Sequence, residues 1–97
     1  MRRRSLSVVI PAYNEAANIV DTLHHVSRAL FKLDLDAEIL VVDDGSKDET
    51  SALVLMAAGR LAGVQLLRHE TNRGFGAAYR TGVEAAAGEH IVMVHGD

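Results

Sequence analysis

Four short apolar runs, separated by segments with helical periodicity, constrain the fold of this chain more than any other feature. The runs occupy residues 6–10, 38–42, 64–68 and 90–94 and are rich in Val, Ile and Leu. Such runs are typical of buried strands, although polar residues weaken the third. Strands that are apolar on both faces need helices on both sides. The order β-α-β-α-β-α-β therefore predicts a parallel, doubly wound, Rossmann-like α/β sheet with strand order 3-2-1-4.

Two of the predicted helices carry a local start signal. Asn14 offers a side-chain cap, and Glu15 places a carboxylate in the predicted first turn, where the helix dipole favours it. Ser46 and Glu49 have the spacing of a capping box, which predicts that the second helix begins at about Lys47.

Apolar residues at helical spacing predict which face of each helix packs on the sheet. The second helix is expected to end at Gly59 or Gly63, and the third to cover residues 77–87 and end at Gly88. The expected packing stripes are Ile19, Leu23, Val26, Leu30 and Leu33 in the first helix; Leu53, Met56, Ala57, Arg60 and Leu61 in the second; and Phe75, Tyr79, Val83 and Ala86 in the third.

Composition excludes several classes of protein. The 97 residues include 10 Lys plus Arg against 13 Asp plus Glu, for a net charge of −3, and no Cys. The apolar content excludes intrinsic disorder, the lack of Cys excludes disulfides and thiol catalysis, and the mild acidity argues against a nucleic-acid partner. No run of about 18 apolar residues is present, and the apolar run after Arg2–Arg4 is too short for a signal peptide.

Polar clusters follow the predicted strands, where ligands bind in sheets of this kind. They are residues 11–15, 43–46, 72–76 and 95–97. The glycine-rich patterns that cradle the phosphates of NAD or ATP are absent after the first strand. Instead, Tyr13 offers a ring that can stack on a base, and Asp43 and Asp44 offer acceptors for a base N–H or for ribose hydroxyls. Arg73, between Asn72 and a glycine, suits a phosphate.

A divalent cation fits the last cluster. His95 and Asp97 provide an imidazole and a carboxylate, which suit Mg²⁺ and Mn²⁺ to different degrees, and the cation would neutralise a diphosphate.

Each of these residues also has a structural interpretation. Tyr13 is explained equally well by packing, Glu15 by the helix N-terminus, and Asp43 and Asp44 by a turn that ends in glycine. His95 by itself is typical of a surface histidine.

Taken together, four segments resemble the signatures of family 2 glycosyltransferases, which have the GT-A fold. They are residues 8–15 (VVIPAYNE), 41–50 (VVDDGSKDET), 72–78 (NRGFGAA) and 95–97 (HGD), the last lying where the family has its D-x-D metal motif. The segments cover nearly the whole chain in the family's order. The resemblance is greatest to the branch that transfers sugars to polyprenyl phosphates.

The resemblance implies a role for each matching residue. Those that match Pro11, Ala12, Tyr13 and Glu15 line the family's nucleoside pocket, and one acid of the Asp43–Asp44 pair hydrogen-bonds the nucleoside, with Asp44 preferred here. The acid that matches Asp97 binds Mg²⁺ or Mn²⁺ on the diphosphate. His95 replaces the first acid of that motif, which removes one negative charge from the cation site.

The resemblance also implies what lies outside residues 1–97. The family's catalytic base and acceptor pocket follow the metal motif. We therefore expect residues 1–97 to be a single domain, the N-terminal donor-binding part of a larger transferase, and to be inactive by themselves. The expected partners are a nucleotide-diphospho-sugar, a lipid-phosphate acceptor and a second copy bound through an exposed sheet edge. The expected location is cytoplasmic, at the membrane periphery.

Two other functions remain open from the sequence. The first is a non-catalytic half-domain that binds a nucleotide or another chain. The second is a response-regulator-like signalling domain, suggested by the paired acids after one strand. The sequence lacks the Lys that such a domain has at the end of a late strand, and this interpretation gives residues 11–15 no role.

Overall fold

Strands and helices alternate along residues 6–94, the part of the chain that the computed structural model describes. The elements, in chain order, are β1 (Leu6–Ala12), α1 (Ile19–Lys32), β2 (Ala37–Asp44), α2 (Thr50–Ala58), β3 (Val64–His69), α3 (Phe75–Ala85) and β4 (His90–Met93).

The strands form one parallel sheet in the order β3-β2-β1-β4, which confirms the predicted fold class and strand order. In the register, Ala12 of β1 lies beside Asp43 of β2, and Asp44 lies beside His69 of β3. The carboxyl ends of these three strands therefore meet at one edge of the sheet.

The core lies on both faces of β1 and β2, because successive residues of a strand point to opposite sides. On one face Ile10 and Val41 pack with Ile19, Leu23 and Val54 of α1 and α2. On the other face Val9, Leu40 and Val42 pack with Ala78 of α3. Burying a Leu or Ile fully stabilises the fold by roughly 1.5–3 kcal/mol, so these two central strands anchor the domain.

Helix α3 packs on the sheet through small residues, and the predicted face was wrong for two of its four members. Ala78 and Gly82 are buried, and a Cβ on Gly82 would collide with the side chain of Val9. Phe75 is 60% exposed and Val83 is also exposed, whereas Tyr79 and Ala86 are partly buried as expected. The reason is the close approach of the helix axis to the sheet, which leaves room only for small side chains.

The stripes of α1 and α2 were predicted more accurately. Four of the five α1 residues are buried or packed on the core, but Leu33 follows the last helical residue and is exposed. In α2, Met56 is 66% exposed and Val54 is buried in its place, and Arg60 follows the last helical residue and is exposed as well. Almost every position of α2 is apolar, so periodicity by itself does not separate its faces.

No helix in residues 6–94 combines the length and the apolar character needed to cross a bilayer. The longest helix, α1, has 14 residues.

Candidate functional site

A cavity of about 180 Å³ lies at the carboxyl edge of the sheet. It brings together three residues predicted to bind nucleotide, Pro11, Ala12 and Asp44, with Asn72, Gly74 and Phe75 of the loop and helix that follow β3. Asp43 does not line it. The strands that carry the cavity are the two most buried in the sheet, which gives it a rigid floor.

Asp44 is held by three hydrogen bonds although it is only 3% exposed. Its Oδ1 accepts from the backbone N–H of Arg73 and from Nδ1 of His69, both at 2.8 Å. Its Oδ2 accepts from the backbone N–H of Gly74 at 2.7 Å. The carboxylate thus joins the ends of β2 and β3 to the start of α3.

These contacts keep Asp44 ionised. Burial, the largest single effect, would raise its pKa, but the hydrogen bond from His69 and those from the Arg73 and Gly74 N–H groups together lower the pKa below its ordinary value. A carboxylate has about four acceptor positions, and donors within residues 6–94 occupy three of them. Among those residues no donor takes the fourth position, which is on Oδ2.

Asp43 makes the contacts of a turn-forming residue. It is fully buried, and its Oδ1 accepts from the Ser46 N–H at 2.8 Å. Its Oδ2 accepts from the hydroxyl of Ser51 and from Arg68 Nη1, the latter at 3.2 Å. Asp43 therefore closes the turn after β2 and anchors α2, which agrees with the structural alternative given for it above.

Asn14 does not cap α1, which corrects the sequence prediction. It has φ +52°, a left-handed conformation that Asn tolerates better than most residues. Its backbone N–H donates to Ser46 Oγ at 2.8 Å, and its Oδ1 accepts from the Lys47 N–H at 2.9 Å. The β1–α1 loop is thereby fastened to the β2–α2 loop.

The predicted capping box of Ser46 and Glu49 is also absent, because the Ser46 hydroxyl is engaged by Asn14. Helix α2 begins at Thr50 instead, and the backbone N–H of Thr50 donates to Asp48 Oδ1 at 2.9 Å. The Thr50 hydroxyl accepts from the Glu15 N–H at 2.9 Å and donates to Asp48, which lowers the pKa of that carboxyl.

Three other residues predicted to bind nucleotide, Tyr13, Glu15 and Arg73, do not line the cavity. Tyr13 follows the end of β1 and is 39% exposed. Glu15 is half-buried, and its backbone carbonyl accepts from the Asn18 and Ile19 N–H groups in the turn before α1. Arg73 is exposed, and its backbone N–H is bound to Asp44.

Gly45 is required by the close packing of two loops. It has φ +78°, and a Cβ at this position would lie 2.5 Å from the backbone carbon of Thr71 and 2.6 Å from the nitrogen of Asn72. Only glycine lets the turn after β2 approach the loop after β3 so closely.

The two predicted metal ligands, His95 and Asp97, lie outside the described residues. Within residues 6–94, no three His, Asp or Glu side chains are grouped as a metal site would require.

The sequence analysis missed His69. Its Nε2 lies 2.7 Å from Thr81 Oγ1 of α3, so the ring connects Asp44 to that helix. A signal was available, because the predicted strand order places β3 beside β2, and His69 follows the third apolar run as Asp44 follows the second.

Comparisons with known proteins agree with the fold. A family model described as Glycosyl transferase family 2 matches residues 7–97. The chain is 34% identical over 99 residues to the dolichyl-phosphate beta-glucosyltransferase of Dictyostelium discoideum, covering 95% of this chain and 30% of the relative.

Two solved structures share the fold. The mannosyltransferase PcManGT from Pyrobaculum calidifontis in complex with GDP-Man and Mn²⁺ is 32% identical, with a TM-score of 0.85. The match covers 100% of this chain and 28% of the PcManGT chain. TarS of S. aureus in complex with UDP-GlcNAc is 30% identical, with a TM-score of 0.85. This match covers 96% of the present chain and 26% of the TarS chain. The chain thus spans 30% or less of the length of each protein compared.

Proposed function

This chain belongs to glycosyl transferase family 2, and from that premise we propose that residues 1–97 are the donor-binding part of a GT-A transferase domain. One observation carries the proposal: Asp44, ionised and nearly buried, lines the carboxyl-edge cavity, and one of its acceptor positions has no donor among the described residues. A base that carries an N–H donor would satisfy it.

The nucleoside would lie between the two loops that border the cavity. Pro11 and Ala12 form the wall on the β1 side, and Tyr13 stacks on the base or ribose from the rim. Both UDP and GDP carry ring N–H groups that suit Asp44, and the two structures compared contain a UDP-sugar and a GDP-sugar. The base is therefore left to experiment.

The diphosphate requires positive charge. We assign this role to the Arg73 side chain and to a divalent cation held by Asp97 with His95. A carboxylate and an imidazole together fit Mn²⁺ better than Mg²⁺, and a structure compared above contains Mn²⁺. When bound, the cation would neutralise the diphosphate and stabilise it as a leaving group.

The whole protein would transfer the sugar to a lipid phosphate. The relative from Dictyostelium is named for transfer to dolichyl phosphate, which supports this acceptor class. The bond from the anomeric carbon to the diphosphate breaks, the nucleotide leaves with the electron pair, and an acceptor phosphate oxygen bonds to that carbon. With this acceptor class we propose a location at the membrane periphery, on the cytoplasmic side.

We further propose that the 97-residue chain associates with a second copy through β4. This strand is an edge of the described sheet, and its last three residues, 91–93, are 39–52% exposed. An edge strand with accessible apolar residues pairs readily with another chain.

The test of nucleotide binding is titration calorimetry with UDP and GDP, with and without Mn²⁺. We expect Asp44→Asn to weaken binding of the preferred nucleotide by about 1–3 kcal/mol, the size of a hydrogen bond to a charged group. Asp21→Asn, which removes an exposed acid on α1, is the matched control and should bind as the wild type does. Equal affinity for all three proteins would remove Asp44 from the site.

A separate assay distinguishes a transferase from a non-catalytic binding domain. Radiolabelled sugar from UDP- and GDP-sugars should appear on polyprenyl phosphate when a longer form of the protein is supplied, and not with residues 1–97 by themselves. Nucleotide binding without transfer by any longer form would favour the non-catalytic alternative.

A further inference from the structure

His69 occupies a position that neither the family comparison nor the proposed site explains. It is the last residue of β3 and is only 6% exposed. Both ring nitrogens have partners: Nδ1 lies 2.8 Å from Asp44 Oδ1, and Nε2 lies 2.7 Å from Thr81 Oγ1. The ring therefore lies between the nucleoside pocket and α3.

The chemistry of the partners assigns the proton on this ring. An ionised carboxylate only accepts hydrogen bonds, so Nδ1 carries the proton and donates it to Asp44. The Thr81 hydroxyl can both donate and accept, so it can pair with Nε2 whether or not that nitrogen carries a proton. The contact with Thr81 fixes the ring plane and with it the direction of the Nδ1–H bond.

His69 differs from the other two donors to Asp44. Those are backbone N–H groups at the end of the loop before α3, and they move when that loop moves. His69 is held on a strand paired with β2, so it ties the carboxylate to the sheet itself.

We propose that His69 is a positioning residue for nucleoside recognition. It holds the Asp44 carboxylate so that the remaining acceptor position of Oδ2 faces the cavity, and Thr81 holds His69 in turn. The inference rests on the proposed function, because it assigns Asp44 to the nucleoside.

The experiment compares four variants by calorimetry with UDP and GDP. Circular dichroism gives the folded fraction of each variant, and the protein concentration used in the calorimetry is corrected for it. His69→Leu removes both hydrogen bonds. His69→Asn keeps a donor close to the place of Nδ1, whereas His69→Gln extends its amide toward the place of Nε2. Thr81→Val removes the hydroxyl at nearly constant shape.

We expect His69→Leu and His69→Gln to weaken nucleotide binding about tenfold or more, as the loss of a hydrogen bond to a charged group does. His69→Asn should stay within about threefold of the wild type, and Thr81→Val should fall between. Near-normal binding by His69→Asn but not by His69→Gln would show that His69 positions Asp44. If His69 contributed only to folding, the variants would have lower melting temperatures, and their affinities would not follow this order.

The possible failures are distinguishable. If the wild type binds neither nucleotide, the proposed function fails and this inference fails with it. If the wild type binds and the His69 variants bind equally well, His69 has no positioning role and the proposed function stands. If His69→Leu does not fold, the ranking of Asn, Gln and Thr81→Val decides, and equal affinities among them overturn the inference.

Discussion

Asp43 and Asp44 illustrate how much one residue of displacement changes a side chain's environment. They are adjacent in a strand, so their side chains point to opposite faces of the sheet. Asp43 lies on the face covered by α1 and α2 and binds Ser51 and Arg68. Asp44 lies on the face covered by α3 and binds His69. Two identical acids thus divide between closing a turn and lining a cavity.

The lowered pKa of Asp44 predicts a contribution to stability that depends on pH. A carboxyl whose pKa is lower in the folded state stabilises the protein above its unfolded pKa of about 3.9, and this contribution is lost as pH falls through the lowered folded value. In urea unfolding between pH 3 and 7, Asp44→Asn should lower the free energy of unfolding by about 2 kcal/mol at pH 7. Below about pH 4, the free energy of unfolding of the variant should decline less steeply than that of the wild type.

The control for this measurement is Asp21→Asn, which alters an exposed acid. A decline for Asp44→Asn as steep as that of the wild type would show that other groups cause the acid sensitivity.

A pair of glycine substitutions tests the loop packing. Gly45→Ala should destabilise the fold by about 3 kcal/mol, because its positive φ and the backbone of Thr71 and Asn72 leave no room for a Cβ. Gly76→Ala is the matched control: no atom lies within 4 Å of its Cβ, and Ala in a helix gains up to about 1 kcal/mol. Similar unfolding free energies for the two variants, measured in urea, would contradict the packing argument.

At the scale of elements, the two loops that follow β1 and β2 act as one unit. Four of the hydrogen bonds between them join residues 14–16 to residues 46–50. This explains why α1 and α2 begin several residues later than local signals indicate: the polar side chains that would cap the helices are bound across the loops. Ala12 and Asp44, which line the carboxyl-edge cavity, lie at the strand ends just before these two loops.

The edge strand β4 provides the prediction for assembly. Light scattering of residues 1–97 should show a concentration-dependent dimer or larger species, and Ile91→Lys should shift it toward the monomer, because a charge on an edge strand opposes pairing. Leu55→Lys is the control, since Leu55 is an exposed apolar residue too, at 60% against 39% for Ile91, but lies on α2. A monomer at every concentration for the wild type would end the proposal of self-association.

At the scale of the whole molecule, the candidate site joins the sheet to the helix layer formed by α3. Its residues come from β1, β2 and the segment after β3, and its support extends into α3 through His69 and Thr81. A ligand that binds only when these layers are assembled must stabilise the fold by mass action.

The corresponding prediction is a thermal shift. UDP or GDP at about 100 times its dissociation constant should add about 2.7 kcal/mol to the stability of the wild type, which raises the melting temperature by several degrees. Inorganic diphosphate at the same concentration is the control and should produce a smaller rise. If the melting temperature does not change at a nucleotide concentration that saturates the protein in calorimetry, nucleotide binding does not depend on the folded site.

The sequence by itself determined the architecture. The apolar runs were long enough to identify each strand, and their apolar character on both faces required helices on both sides of a parallel sheet. Strand order followed from that, and with it the edge at which residues 11–15, 43–46 and 72–76 meet. Burial follows from apolar composition for β1 and β2, which have a strand on each side, whereas β4 is apolar but exposed because it is an edge of the described sheet.

Only the tertiary structure decided where helices begin, which face of α3 is buried and which aspartate lines the cavity. Asn14 and Ser46 have strong local capping preferences, but each binds the other's loop, 32 residues away in the chain. The face of α3 depends on how closely its axis approaches Val9, and the roles of Asp43 and Asp44 depend on the helices that cover each face. Each of these outcomes depends on competition between a local hydrogen bond or contact and a distant one, and only the folded chain brings the distant partner into range.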